Sequence, residues 1–380
     1  MPEANSRRLA NYFQSHKLLI ALAAFTLFLV LSLQVNQPKS SAESTIVKQQ
    51  TLSYRLFGEK DSGRKAAPVN YVVFGSNTPN GESYRTYDYA FNLPLTALAW
   101  ERLGFRSIVL IIGSRCEWEN DPTLSLIISY LEARRATVIF VSAPLDYRPT
   151  LSQTARAFTV NFPEFPGSDG DFLITSDSDL WPLRKEHYSP RPGMDVVLVH
   201  AGCCGFFQMN NKSYPMYPMS NIGATVSTWR QIMNDNHSTA GDSESILNYL
   251  GDIFGEMMAR SPVVVAQPTW YMDQRMTSIR LTEWMEKHGE ASVYRVSDKG
   301  FSRLDRNDWN ADRMSPENFT LKFDAHLPVK IYLPIQWNRV IRPLLNLMYG
   351  KDSWQTKWCE DYASEFSKKV TNYINFANVG

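Results

Sequence analysis

Short apolar stretches alternate with helix-length segments from residue 69 onward, and this alternation is the feature that most limits the fold. The stretches are rich in β-branched and aromatic residues, and they predict buried strands at 71–74, 107–112, 137–141, 171–175 and 196–200. The segments between them predict helices at 93–103, 122–134 and 151–160. Strands that are apolar throughout and separated by helices indicate an α/β fold, with a parallel sheet covered on both faces.

Paired acids follow the fourth predicted strand, at the point where such sheets bind ligands. Asp177 and Asp179 leave the strand on the same side, so their carboxylates can converge on one cation. Mn²⁺ and Mg²⁺ prefer oxygen ligands and leave positions open for a substrate diphosphate. We therefore predict that Asp177 and Asp179 bind a divalent metal; the alternative is a turn that simply ends the strand.

A second D-x-D pair, Asp169 and Asp171, lies just upstream in a Pro- and Gly-containing turn at 165–168. A bare D-x-D is weak evidence, since about one is expected by chance in a chain of this Asp content. We interpret this second pair as turn chemistry, because Asp and Gly commonly punctuate loops. The first pair, Asp177 and Asp179, differs from the second because it directly follows a buried strand.

Residues 18–35 are uncharged and almost wholly apolar, and as a helix they would reach about 27 Å, close to the thickness of a bilayer's hydrocarbon core. The alternative, a cleaved signal peptide, has a shorter apolar region and a small-residue cleavage site. Basic residues before the run predict a cytoplasmic N-terminus. The predicted organisation is a cytoplasmic tail at 1–17, a signal-anchor at 18–35, a stem at 36–68 and a lumenal domain at 69–380.

Charge and cysteine content exclude two classes of protein. The net charge of +1 argues against a nucleic-acid binder, which should carry a basic excess. No C-x-x-C pair occurs, which argues against a zinc site. The even count permits disulfides in an oxidising lumen, without revealing which cysteines pair. The four are Cys116, Cys203, Cys204 and Cys359.

Taken together, these features resemble the GT-A glycosyltransferases, whose D-x-D motif follows a central strand in Golgi proteins of type II topology. The stretch 174–180 lies in the matching place, and the resemblance covers roughly residues 69–335 without identifying a family. It implies a nucleotide-sugar donor, with a UDP-sugar favoured, bound together with Mn²⁺ or Mg²⁺. It also implies a glycan, glycoprotein or glycolipid acceptor, and a location facing the lumen of the Golgi or the endoplasmic reticulum.

The same resemblance assigns candidate residues around the donor. GT-A enzymes often supply a His late in the domain as a third metal ligand, and His326 in 322–328 is the natural match. An ordinary surface or core histidine is the alternative. Asp177 and the predicted loop Gly75, Ser76 and Asn77 would contact the nucleotide, although Gly75 is equally compatible with a plain turn.

A carboxylate near the acceptor, the catalytic base of inverting GT-A enzymes, has two candidates here, Asp273 and Asp242. Asp273 is favoured because its neighbours Trp270 and Tyr271 could line a sugar site. Either acid could instead cap a helix N-terminus.

Three other functions compete with the transferase hypothesis. A glycoside hydrolase needs two carboxylates on opposite sides of a sugar, which acids two residues apart do not provide. A tethered carbohydrate-binding ectodomain is usually a β-sandwich, whose strand pattern differs from this one. An inactive transferase-like domain would keep the fold and lose the site, and retention of both aspartates speaks against it.

Overall fold

The computed structural model describes residues 67–79, 87–233, 241–306 and 315–377, with side chains described up to residue 370. These residues belong to one compact unit that begins at Ala67. The predicted tail, the anchor at 18–35 and nearly all of the predicted stem lie outside the described residues. Within the described ranges, no helix is both long enough and apolar enough to cross a bilayer.

A seven-stranded sheet forms the centre of the domain, with the strand order β10-β6-β9-β4-β1-β2-β3. All neighbouring strands in it are parallel except β9, which runs antiparallel to both β4 and β6. The prediction of an α/β fold around a mostly parallel sheet is therefore confirmed. The strands are β1 (Asn70–Asn77), β2 (Arg106–Ile112), β3 (Thr137–Val141), β4 (Phe172–Thr175), β5 (Leu180–Pro182), β6 (Val196–Leu198), β7 (Phe206–Met209), β8 (Lys212–Pro215), β9 (Ile222–Thr225), β10 (Val293–Arg295), β11 (Ser302–Leu304) and β12 (Lys322–His326).

Helices cover both faces of this sheet. They are α1 (Asp88–Glu101), α2 (Arg115–Asn120), α3 (Pro122–Ala133), α4 (Arg148–Thr154), α5 (Lys185–Tyr188), α6 (Val226–Ile232), α7 (Ser243–Phe254), α8 (Glu256–Ala259), α9 (Met272–His288), α10 (Pro316–Thr320), α11 (Pro334–Gln336), α12 (Arg342–Tyr349) and α13 (Trp354–Ala377). Short 3-10 turns occur at Leu145–Tyr147, Ala155–Asn161, Met219–Asn221 and Pro268–Tyr271, and a π-helical turn occurs at Trp337–Ile341.

Two apolar cores result, one on each side of the sheet. Successive residues of β1 alternate between them: Val72 and Phe74 pack with α1, α3 and α13, whereas Tyr71 and Val73 pack with α4, α6 and α9. All four side chains are buried. This burial on both faces is why the strand sequences are apolar throughout instead of alternating with polar residues.

The observed bounds differ from the predicted ones at four main points. The helix predicted at 93–103 is α1, which begins earlier, at Asp88, and ends at Glu101. The predicted loop 75–77 is wrong, because β1 continues to Asn77: Gly75 pairs with Leu110, and a Cβ on Gly75 would lie 2.7 Å from the Leu110 carbonyl oxygen. Strand β6 ends at Leu198, since His200 adopts a left-handed conformation with φ +59° that an extended strand cannot contain. The helix predicted at 151–160 is instead α4 followed by the tight turn Ala155–Asn161.

Three short strands form a second sheet of order β11-β12-β5. Strand β12 runs antiparallel to β5, and His326 pairs with Leu180 in its register. The backbone N–H of Leu327 continues the pairing by donating to the carbonyl of Asp179 at 2.8 Å. The end of β12 is thereby held against the segment that follows β4.

The last helix belongs to the core of the domain, and this gives a first prediction. Phe366 of α13 is fully buried, with its ring centroid 4.7 Å from that of Phe91. We expect Phe366→Ala to lower the free energy of unfolding by about 3–5 kcal/mol, because it leaves a cavity in the aromatic cluster. Chemical denaturation measures this, with the exposed Lys357→Ala on the same helix as the control. A cost below about 1 kcal/mol for Phe366→Ala would contradict the packing described here.

Candidate active site

A cleft of about 570 Å³ opens at the carboxyl edge of the seven-stranded sheet, where β1, β4 and β6 end. The predicted site residues that line it are Gly75, Ser76, Asn77, Asp177, Asp179, Asp273 and His326. Asp242 is not among the lining residues. Its carboxylate caps α7 by accepting from the backbone N–H of Ser245 at 2.8 Å, which is the alternative role considered for it.

Arg156 joins two of the predicted acids. Its Nη1 donates to Asp177 Oδ1 at 2.5 Å and to the Ser176 carbonyl at 2.6 Å, and its Nη2 donates to Asp273 Oδ2 at 2.9 Å. The side chains of Arg156 and Asp273 are almost fully buried, whereas that of Asp177 is 39% exposed to the cleft. Burial raises the pKa of Asp273 to about 6, and the charge of Arg156 opposes the increase.

Asp179 and His326 form a second cluster with Arg306. His326 Nε2 lies 3.6 Å from Asp179 Oδ2. Arg306 donates to both groups: its Nη2 donates to Asp179 Oδ2, and its Nε donates to His326 Nε2 at 2.9 Å. Burial tends to raise the pKa of Asp179, but the adjacent side chains of His326 and Arg306 hold that pKa below its usual value.

The tautomer of His326 follows from these partners. Because a guanidinium can only donate, Nε2 of His326 must accept from Arg306, and its proton lies on Nδ1. That nitrogen is 3.0 Å from Asp305 Oδ1, to which it donates. A histidine whose Nδ1–H is held by a carboxylate presents the lone pair of Nε2 to a cation, which is the usual arrangement of a metal-binding imidazole.

The three predicted metal ligands do not meet at one point. In the described ranges, no three His, Cys, Asp or Glu side chains stand close enough together to hold a metal ion. Asp177 binds Arg156 instead of joining Asp179 and His326. Asp179 and His326 do converge, and the guanidinium of Arg306 lies between them as a cation. The carboxylate and imidazole atoms are of a kind that Mn²⁺ and Mg²⁺ accept, but as placed here Asp177 binds Arg156, and Asp179 and His326 bind Arg306.

A third arginine, Arg303, lines the cleft and is held in place by the buried carboxylate of Asp324. Arg303 forms a bidentate pair with Asp324, with Nε to Oδ1 at 2.9 Å and Nη2 to Oδ2 at 2.8 Å. Asp324 is fully buried in β12 and also accepts from the hydroxyl of Tyr188 at 3.2 Å. The fork geometry and the buried partner hold the guanidinium in one orientation.

Sequence reasoning missed all three of these arginines. Arg156 lies in a helical segment with no motif around it, so nothing local marks it. Arg303 and Arg306 flank Asp305 in a short charged run that could have been noticed, although its partners are distant in sequence. Arginines become identifiable as site residues only once the acids that they neutralise are placed.

The cleft also contains a disulfide between adjacent residues, Cys203 and Cys204, in the loop that follows β6. Cys116 and Cys359 are free thiols, exposed and buried respectively. The sequence permitted disulfides without indicating a pairing, and it did not suggest that one would line the site.

Comparison with known proteins identifies no family. No family model and no curated protein matches the chain. Three solved structures of partial similarity are all glycosyltransferases. The first is the apo form of GlyE from Streptococcus pneumoniae TIGR4, with 12% identity and a TM-score of 0.33 over 81% of this chain and 64% of that chain. The second is a glycosyltransferase involved in glycosylation of the major capsid of PBCV-1, with 10% identity and a TM-score of 0.29 over 67% of this chain and 93% of that chain. The third is the apo form of mouse xyloside xylosyltransferase 1, with 12% identity and a TM-score of 0.32 over 68% of this chain and 98% of that chain. This chain thus spans less than two thirds of the GlyE chain.

The ion pair of Arg156 with Asp273 gives a second prediction. Arg156→Met leaves a buried carboxylate without its counter-charge, so we expect the free energy of unfolding to fall by about 3–5 kcal/mol. Adding Asp273→Asn should restore part of that loss, because the amide has no charge to bury. Denaturant titration of the two single variants and the double variant measures the coupling. Arg115→Met, which breaks a largely exposed pair with Glu119, is the control and should cost less than about 1 kcal/mol.

The loss of unfolding free energy caused by Arg156→Met should depend on pH. Asp273 binds its proton more tightly in the folded chain than in the unfolded one, so its contribution to stability is lost as the pH rises through about 6. Removing Arg156 makes folded Asp273 bind its proton still more tightly, because the charge of Arg156 opposes the rise in its pKa. The penalty of Arg156→Met should therefore be larger at about pH 7.5 than at about pH 5. An equal penalty at both values would show that Asp273 is not the group left unpaired.

Proposed function

We propose that this chain is a metal-dependent glycosyltransferase that takes its sugar from a nucleotide-sugar donor, with a UDP-sugar favoured. One observation carries the proposal: Asp177 and Asp179 from the segment after β4, and His326 from the distant strand β12, line one cleft at the carboxyl edge of a mostly parallel sheet. This edge is where open α/β sheets bind their ligands. The resemblance of the 174–180 segment to the D-x-D region of GT-A enzymes supports the same activity.

The cleft residues divide into those that would bind the donor and its metal and one that would act as the catalytic base. Asp177, Asp179 and His326 would hold Mn²⁺ or Mg²⁺, which acts as a Lewis acid on the departing diphosphate. Gly75, Ser76 and Asn77 at the end of β1 line the same cleft, where the nucleotide would contact them. Arg306 and Arg303 place positive charge in the same cleft, which favours the phosphates of the donor.

Asp273 remains the candidate for the base that accepts a proton from the acceptor hydroxyl. Its pKa of about 6 leaves it ionised at neutral pH yet close enough to neutrality for proton transfer. One oxygen is held by Arg156 and the other by the backbone N–H of Gln274 at 2.7 Å. Movement of Arg156 toward the donor would release the first oxygen for this role.

We further propose that the acceptor is a glycan, glycoprotein or glycolipid, and that the domain faces the lumen of the secretory pathway. The apolar run at 18–35 supports a single membrane anchor. A disulfide between Cys203 and Cys204 supports an oxidising compartment.

A second function is favoured by one specific observation. Arg156 and Arg306 neutralise the two motif aspartates, as they would in a carbohydrate-binding domain that has lost transfer activity. In that case the charges form a closed network and no metal enters it. Metal-dependent nucleotide binding separates the two functions, because only the transferase requires it.

The third prediction concerns the motif itself. Asp179→Asn in the full-length chain should weaken Mn²⁺-dependent UDP binding by about 100-fold, since even the loss of a group supporting a ligand costs about 10–100-fold in metal affinity. Isothermal calorimetry with UDP, in the presence and absence of Mn²⁺, measures it. Asp169→Asn is the matched control, because it alters the other D-x-D pair, where Asp169 is exposed and bound to Arg230. Unchanged binding by the Asp179 variant would remove the metal assignment.

A fourth prediction follows from the position of Arg306. If its guanidinium competes with the metal for Asp179 and His326, Arg306→Gln should bind Mn²⁺ alone about tenfold more tightly. The reason is that a charge-assisted hydrogen bond of about 1.5–3 kcal/mol no longer has to be broken. Electron paramagnetic resonance of free Mn²⁺ measures the affinity without a nucleotide, and Arg230→Gln is the control. Weaker binding by the Arg306 variant would mean that this arginine assists the cation instead of competing with it.

A further inference from the structure

The disulfide between Cys203 and Cys204 lies in the same cleft as the acidic motif, and nothing in the donor chemistry proposed above uses it. Two adjacent cysteines joined in this way form a small ring that includes the peptide bond between them. The ring presents two polarisable sulfur atoms on its surface, and a disulfide neither ionises nor donates a hydrogen bond. Cys203 is exposed and Cys204 is partly exposed, so the ring is open to a ligand.

The loop that carries the disulfide is fixed at several points. His200 Nδ1 lies 2.7 Å from Asp298 Oδ2, which ties the loop to the segment after β10. The backbone N–H of Cys203 donates to the carbonyl of His200 at 3.2 Å, closing a turn. The carbonyl of Gly205 accepts from the N–H of Met216 at 2.9 Å, where the hairpin of β7 and β8 returns. A wall held in this way can bind a ligand without a large cost of ordering.

Its place along the sheet edge indicates which part of a substrate it meets. Strands β1, β4 and β6 run in the same direction, and in the sheet β1 is next to β4, with β9 between β4 and β6. The nucleotide end at Gly75 and the disulfide therefore lie on opposite sides of Asp177 and Asp179. Two strand spacings separate the ends of β4 and β6, which is about 10 Å. If a donor binds between Gly75 and the two aspartates, the disulfide would lie beyond its sugar, on the side left open for an acceptor.

The neighbouring surface suits a carbohydrate. Apolar side chains of Trp270, Val263 and Pro218 line the cleft together with the disulfide, and Ser220 and Gln274 supply polar groups. Ser220 precedes β9, whose antiparallel direction brings its amino end to this same edge. A sugar ring has apolar C–H faces and a polar hydroxyl rim, and sites of this composition match both.

We propose that the Cys203–Cys204 disulfide forms one wall of the acceptor subsite and contacts the C–H face of a sugar ring in a glycan acceptor. This proposal rests on the proposed transferase function and specifies its acceptor class. It assigns the disulfide a binding role and involves no change in its oxidation state.

The test uses the full-length chain in detergent micelles, after mass spectrometry of alkylated peptides has verified that Cys203 and Cys204 are paired. Fluorescently labelled protein with Mn²⁺ and UDP is applied to a printed glycan array, and the strongest glycan is then titrated calorimetrically. The wild-type chain is compared with Cys203→Ser/Cys204→Ser and with Cys116→Ser, which removes an exposed thiol elsewhere. Wild-type protein reduced with a phosphine provides the same comparison without a substitution.

We expect glycan affinity to fall by about tenfold or more in the double variant and in the reduced protein, as for loss of a well-packed contact in a binding site. The affinity for UDP with Mn²⁺ should stay within about twofold, because the two sites do not share this wall. Cys116→Ser should match the wild type in both assays.

Several results would overturn the proposal. Undiminished glycan binding after reduction would show that the disulfide is no part of the subsite, as would free thiols at Cys203 and Cys204 in the untreated protein. A parallel fall in UDP affinity would place the loop on the donor side. Nucleotide binding by a wild type that recognises no printed glycan would exclude a glycan acceptor. Glycan binding that depends on the disulfide, without any nucleotide binding, would support the subsite while rejecting the transferase.

Discussion

The antiparallel pairing of β12 with β5 determines which side chains share the cleft. Strand β5 follows the acidic motif directly, so whatever pairs with it is brought beside Asp179. The pairing places His326 there and, through the neighbouring β11, places Arg303 in the cleft wall. Backbone hydrogen bonds hold this arrangement, including that from Leu327 to the Asp179 carbonyl, so the positions of these groups do not depend on their own attraction. A scaffold of this kind can orient charged groups before any ligand arrives.

The charged groups of the site are arranged as arginine–aspartate ion pairs. Arg156 and Arg306 each bind one aspartate of the motif, and Arg303 binds Asp324 behind the wall. In each pair at least one partner is almost fully buried, so desolvation offsets much of the mutual attraction and the pair contributes little net stability. A chain that retains several of them in one cleft is more readily explained by function than by folding. In the proposed function Asp177, Asp179 and His326 would hold the metal, and the arginines that now neutralise the two aspartates would be available to pair with the diphosphate.

The two ends of the cleft differ in character, and this difference supports a division between donor and acceptor. Charged groups concentrate around the end of β4, where a diphosphate and its metal would bind. Toward β6 the wall carries Pro218 and the disulfide, whose surfaces suit the faces of sugar rings. The strand order fixes this polarity, since the carboxyl ends of β1, β4 and β6 follow one another along one edge.

The sequence by itself determined the α/β class, several strands to within a residue and the acidic pair at the end of β4, because each depends on local apolar runs and on the direction of a chain leaving a strand. It did not determine where β1 ends, since the close approach of Gly75 to Leu110 depends on a neighbouring strand. Only the tertiary structure showed that Arg156 bridges Asp177 and Asp273, that Asp242 caps a helix and does not line the cleft, and that a disulfide does line it. Contacts of this kind join residues far apart in the chain, and no local propensity or spacing encodes which distant partner a side chain will meet.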